Sequence, residues 1–221
     1  TLEEILKRLG KCALEYKYDG LRVQAHIGPK GIRLFSRHLE DITEQFPDLV
    51  EGLKGAFHGD AGIVEGEAVP VDPNTGEFLP FQTVSRRRGR KYDVEVMTKE
   101  YPVSLFLFDC LLEGDEDLTG RPYTERRARL YQRIRPNERV QLATHRDADD
   151  VREAEAFFDT ALQIGGEGLV AKALGSTYEA GARGYQWVKF KRDYAAAMSD
   201  TVDLVVVGAG IAGLSAAHHL A

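Results

Sequence analysis

The stretch EYKYDGLRVQAHIGPKGIRLFS, residues 15–36, holds the clearest structural signal in the chain and also its most ambiguous side chain. Leu21, Val23, Ala25 and Ile27 alternate with Arg22, Gln24 and His26, the period of a strand with one buried face. Gly28-Pro29-Lys30-Gly31 interrupts the alternation and Ile32 to Ser36 resumes it, which predicts an antiparallel hairpin. Just upstream, Lys17 stands two residues before Asp19-Gly20 in a run that also reads as a hairpin, with Asp19 shaping the turn. Lys17 is then either a solvated strand residue or a nucleophile, and Lys-x-Asp-Gly alone does not decide between them.

Outward from this stretch the periodicity changes. Phe46, Leu49, Val50, Leu53 and Phe57 recur at helical spacing, and Ile63 to Val71 reads as a strand closed by the turn Asp72-Pro73-Asn74-Thr75-Gly76. Residues 101–112, YPVSLFLFDCLL, form a further strand. Helices near 123–135 and 149–164 flank a strand at 140–144, and strands at 168–172 and 187–191 follow. Strands outnumber helices and are largely hairpin-connected, so the expected class is α+β with mainly antiparallel sheets and flanking helices.

Composition narrows the setting. The chain has 221 residues, 43% of them hydrophobic, enough for one large domain or two small ones. Apolar runs such as Leu204 to Val207 and Leu105 to Phe108 fall far short of the roughly 20 residues that span a bilayer. No basic-then-apolar signal begins the sequence, so a cytoplasmic protein without membrane contact is expected. Cys12 and Cys110 sit in apolar runs as small hydrophobes, which suits a reducing compartment. A net charge of −6 argues against nonspecific nucleic-acid binding by the chain as a whole, although one face can still be basic.

Four further segments set charged residues into apolar strands: EGEAVPVD (65–72), LFLFDCLL (105–112), EGLVAK (167–172) and WVKFK (187–191). With the lysine motif, in this order, they resemble the covalent nucleotidyltransferases: ATP-dependent DNA ligases, RNA ligases and capping guanylyltransferases. FSRHLEDIT (35–43), DPNTGEFLPFQ (72–82) and STYEAGARGYQWVKFK (176–191) make the chain most similar to the adenylation domain of archaeal and bacterial ATP-dependent DNA ligases. The resemblance extends from residue 1 to about 207 and implies a nucleotidyltransferase (ATP-grasp-like) fold.

It also implies roles. Lys17 is the nucleophile that takes AMP from ATP, and Lys189 and Lys191 lie beside the nucleotide phosphates. As cations they disfavour the ammonium form of a neighbouring lysine, whose unperturbed pKa is about 10.4. Glu67 and Arg37 bind the ribose hydroxyls, and Glu167 holds a catalytic Mg²⁺. Glu15 contacts the adenine, and Arg22 contacts the AMP phosphate or the 5′-phosphate of a nick. Phe108 stacks on the base or belongs to the core with Phe106, two readings that remain open. The segment SRRRGRKY contributes Arg86, Arg87, Arg88, Arg90 and Lys91 as a DNA-facing loop that neutralises backbone phosphates. The implied partner is nicked double-stranded DNA in replication, repair and recombination, with a sliding clamp in the full-length enzyme, which is expected to be a monomer.

The resemblance weakens at the C-terminal end. The adenylation domain is expected over residues 1–195, with a linker and the first strand of an OB-fold over 196–207. Residues 208–221, GAGIAGLSAAHHLA, instead resemble the glycine-rich entry of a dinucleotide fold. The sequence ends eight residues after Gly213, with no second strand and no distal acid, so no working dinucleotide site is expected there. An RNA ligase or capping enzyme, a noncatalytic nucleotide- or nucleic-acid-binding module, and a flavoprotein fragment are the rival readings.

Overall fold

The computed structural model describes residues 1–72, 74–87, 93–180 and 186–191. Its elements are α1 (Leu2–Leu9), β1 (Cys12–Lys17), β2 (Leu21–Gly28), β3 (Gly31–Ser36), α2 (Pro47–Ala56), β4 (Gly62–Pro70), α3 (Phe81–Ser85), α4 (Val94–Glu100), β5 (Val103–Glu113), β6 (Glu116–Asp117), α5 (Tyr123–Arg133), β7 (Val140–Leu142), β8 (His145–Ala148), α6 (Val151–Gln163), β9 (Gly168–Ala173) and β10 (Trp187–Lys191). They build two sheets. One is four-stranded in the order β10-β9-β1-β8, and the other runs β3-β2-β4-β5-β6 with β7 added beside β5. Every pairing between these strands is antiparallel except that of β5 with β7. The α+β class expected from the sequence is therefore the observed one.

The hairpin of β2 and β3 forms where the alternation placed it, with Val23 opposite Ser36 and Gly28 opposite Gly31. The expected hairpin around Asp19-Gly20 does not form. β1 belongs to the four-stranded sheet, between β8 and β9, whereas β2 lies between β3 and β4 in the other. Burial explains the difference: Cys12 to Tyr16 are buried at successive positions, as in a strand covered on both faces, while β2 alternates. Tyr18-Asp19-Gly20 thus carries the chain from one sheet to the other. Asp19 accepts a hydrogen bond from the Phe81 amide at 3.3 Å, and Gly20 passes so near β4 that a Cβ would stand 2.4 Å from the Ala68 carbonyl oxygen.

Two apolar clusters hold the sheets. The first joins the six-stranded sheet to α2 and α5 through Val23, Leu34, Leu49, Leu53, Leu105 and Leu130. The second gathers α1, α6 and the four-stranded sheet with residues of β4 and β5, among them Leu14, Phe158, Leu169, Phe190, Val69 and Phe108. A β-bulge lets β5 serve both. Gly66 pairs with Leu107 and Glu65 with Asp109, leaving Phe108 as the extra residue. Leu105 and Leu107 point into the first cluster and Phe108 into the second, yet Cys110 is back in the first, because the bulge shifts the alternation by one residue. Cys12 and Cys110 are both free and buried, as their apolar surroundings suggested.

Candidate active site

Lys17 ends β1 opposite Gly168, and across β9 the same glycine faces Lys191 on β10. The two lysines therefore flank one residue of the central strand. Gly168 is required there: its φ is +146°, and a Cβ would lie 2.0 Å from the Phe190 carbonyl oxygen. Glu167, one residue before, donates its backbone amide to the Lys17 carbonyl at 2.9 Å. Its carboxylate pairs with the Lys17 ammonium and lies 3.4 Å from that of Lys191.

Burial, with Lys191 and then Lys189 adding repulsion, pushes the Lys17 ammonium down to about 8, against the opposing pull of Glu67 and Asp19. The pairing with Glu167 favours the charged form. Burial, Arg37 and Lys191 lower Lys189 as well, which places exposed Arg37, just beyond β3, within electrostatic reach of the same cluster. The structure thus brings Lys17, Arg37, Glu67, Glu167, Lys189 and Lys191 together from five separate segments of sequence.

The six-stranded sheet supplies the facing wall. Arg22 on β2 is directly opposite Glu67 on β4. Burial pushes the Glu67 carboxyl up to about 7, although Arg22, Lys17 and Lys189 all favour its charged form. The Arg22 guanidinium pairs with Glu65 and sits 4.4 Å from the centre of the Phe108 ring. The Lys172 ammonium is 4.5 Å from the same ring. Phe108 is a core residue in this structure, and a base stacking on the face that Arg22 covers requires the guanidinium to withdraw.

Glu15 faces inward. It is 3% exposed, and its carboxylate accepts from Tyr123, Arg127 and Lys172. Lys172 is itself buried, with Trp187 4.2 Å and Tyr123 5.1 Å away, and beside it Arg126 clasps Asp109 at 2.8 and 3.0 Å. Every buried charge in this layer has a partner of opposite sign, as desolvation demands. Sequence reading missed Glu65, Asp109, Tyr123, Arg126, Arg127 and Lys172. Glu65, Asp109 and Lys172 stood in motifs already singled out, and charges embedded in an apolar run were the available signal.

The basic run needs a correction. Arg87 does not face DNA: it is 1% exposed, donates to both carboxylate oxygens of Asp48 at 2.9 and 2.6 Å, and lies 4.6 Å from the Phe46 ring centre. It also donates to the carbonyls of Gln45 and Tyr101, which locks the end of α3 onto the start of α2. Arg86 is exposed and donates to the Tyr101 hydroxyl at 2.9 Å. Arg88, Arg90 and Lys91 lie outside the described residues, as do the expected OB strand and the glycine-rich tail. Among the described residues no group of three or more His, Cys, Asp or Glu side chains gathers as a metal cage, and no helix is long and apolar enough to cross a membrane.

A lysine of depressed pKa, ringed by cations and carboxylates between two mainly antiparallel sheets, is the arrangement of a nucleotidyltransferase. The chain belongs to the ATP-dependent DNA ligase domain family, whose profile matches residues 1–191. It is 48% identical over 212 residues to a DNA ligase of Thermoplasma volcanium, spanning 95% of this chain and 36% of that protein. With a DNA ligase of Pyrobaculum neutrophilum the identity is 50% over 210 residues, with the same two shares. The chain therefore spans about a third of the length of the curated relatives it matches. Among solved structures, the ligase domain of Mycobacterium tuberculosis LigD superposes with a TM-score of 0.60 at 27% identity, over 82% of this chain and 55% of that one. A mycobacterial DNA ligase D complexed with ATP and MES matches at 25% identity with the same TM-score and shares.

Proposed function

We propose that this chain is the adenylation domain of an ATP-dependent DNA ligase and that Lys17 is its nucleophile. The observation that carries the reading is the position of Lys17, half-buried beside Lys191 and Lys189 with its ammonium lowered to about 8. The neutral amine attacks the α-phosphorus of ATP, a phosphoramide bond forms, and the bond to pyrophosphate breaks with its electron pair on the departing oxygen. The amine loses its proton in the same step. The 5′-phosphate of nicked DNA then displaces Lys17 from the AMP, and the 3′-hydroxyl displaces AMP to seal the strand.

The surrounding residues bind and orient. Lys189 and Lys191 neutralise the phosphates, Glu67 and Arg37 hold the ribose, Arg22 takes a phosphate, and Phe108 borders the base. Glu15 sets the base side of the pocket through its buried partners. Glu167 is suited to Mg²⁺, a hard cation that keeps several waters and takes only one or two protein carboxylates with substrate phosphates as further ligands. Held there, it would offset the charge that develops in phosphoryl transfer. In the free protein Glu167 engages Lys17, so that pair must loosen before attack. A sliding clamp as partner, a monomeric state and a cytoplasmic location belong to the same proposal for the longer protein.

The test offers α-labelled ATP or GTP to the protein and then chases with nicked DNA or nicked RNA. Label entering from ATP and leaving onto the DNA 5′-phosphate is expected. Label taken only from GTP, or released only to RNA, contradicts the assignment.

A further inference from the structure

Tyr178 lies outside the groups assigned above, in the segment that leaves β9. That segment is pinned at several points: Ser176 Oγ donates to the Ala173 carbonyl at 2.7 Å and accepts from Trp187 Nε1 at 3.1 Å, and the Ser176 carbonyl accepts from Arg126 at 2.8 Å. The Tyr178 amide donates to the Thr119 carbonyl at 2.8 Å. Its hydroxyl then crosses to the other sheet and donates to Glu65 Oε1 at 2.9 Å. Glu65, 4% exposed, accepts at the same oxygen from Gln24 Nε2 at 2.9 Å, and Gln24 is in turn held by His26 at 2.7 Å. The other oxygen, Oε2, receives Arg22, whose Nε is buried without a hydrogen-bond partner.

This chain of bonds has a direction. One Glu65 oxygen is occupied by two neutral donors anchored in separate segments, Gln24 in β2 and Tyr178 beyond β9, which fixes the carboxylate plane and turns the remaining oxygen toward Arg22. We propose that Tyr178 is a positioning residue: by anchoring Glu65 it sets the orientation of the Arg22 guanidinium over the nucleotide cleft. A segment leaving the four-stranded sheet thereby governs a phosphate-binding group on the six-stranded one. The role of Arg22 as a phosphate ligand rests on the proposed function, whereas its fixation by Tyr178 does not.

The test is a double-mutant cycle of Tyr178→Phe and Arg22→Lys, read by the rates of Lys17 adenylation and of AMP transfer to nicked DNA. Tyr178→Phe is expected to slow at least one step about tenfold, the scale of a lost hydrogen bond to a charged group. In the Arg22→Lys background the same change should cost less than about twofold, since coupled residues are non-additive. Equal losses in both backgrounds overturn the proposal and leave Tyr178 as a structural staple. Side-chain ¹⁵N NMR of Arg22 separates this from failure of the ligase reading. Slow guanidinium rotation in the native protein that becomes fast in Tyr178→Phe supports positioning whether or not an adduct forms, and unchanged rotation refutes it. Glu65→Gln, which keeps shape but removes the charge, should reproduce the faster rotation.

Discussion

As the proposed nucleophile Lys17 must be neutral to react, and the surroundings that lower its pKa fix the direction of its pH dependence. Adenylation should rise with pH and level off above about 8, more than two units below the usual lysine range. Glu167→Gln removes the one direct carboxylate contact of Lys17 among the described residues, so the midpoint should move lower still while the maximal rate falls through loss of the proposed metal ligand. Stability follows the same sign. A lysine whose folded pKa is depressed binds its proton more tightly in the unfolded chain, so its burial cost is full below about 8 and is relieved as pH rises toward 10.5. Chemical denaturation across that window should show this slope in the wild type and lose it in Lys17→Met. Arg87 makes a different prediction. Truncation to Ala leaves Asp48 buried without its partner and should cost about 3–5 kcal/mol by thermal or urea unfolding, far more than an exposed arginine in the same run.

At the scale of elements, β9 and its first residue decide whether the site assembles. Gly168→Ala places a methyl group where the Phe190 carbonyl stands, so β10 must shift, and Lys189 and Lys191 with it. A loss of a few kcal/mol in unfolding experiments is expected, together with loss of adenylation, because Lys189 and Lys191, the proposed phosphate ligands, move with the strand. The elements also show which parts of the structure were readable in advance. The β2–β3 hairpin was readable because alternation and turn are local signals. The link at Asp19-Gly20 was misread because the same turn signal serves a hairpin or a crossing between sheets, and only the partners of β1, more than a hundred residues away, choose between them. The lysines and carboxylates of the cleft could be named from motifs, but not the inward turn of Arg87, since a run of charges looks alike whether or not one member finds a buried aspartate. Phe108 is similar: its burial under Arg22 and Lys172 depends on a bulge that no periodicity announces.

For the whole molecule, the two sheets contribute complementary halves of the site. The four-stranded sheet carries Lys17, the proposed nucleophile, with Lys189 and Lys191, and holds Glu167 just ahead of β9, and the six-stranded sheet carries Arg22, Glu67 and Phe108. A nucleotide bound between them should stabilise the fold as a unit, by about 2.7 kcal/mol at a ligand concentration a hundred times Kd, and a thermal melt with and without ATP reads this directly. Lys17→Ala should retain part of that shift, because the proposed binding groups remain when the proposed nucleophile is gone. The most direct measurement is the intact mass of the protein after incubation with ATP and Mg²⁺. The wild type should gain one AMP, and Lys17→Ala and Lys17→Arg should gain none, the latter because a guanidinium stays protonated and cannot attack. An adduct that persists at full yield in Lys17→Ala, or a wild type that never acquires one while binding ATP, would contradict the account.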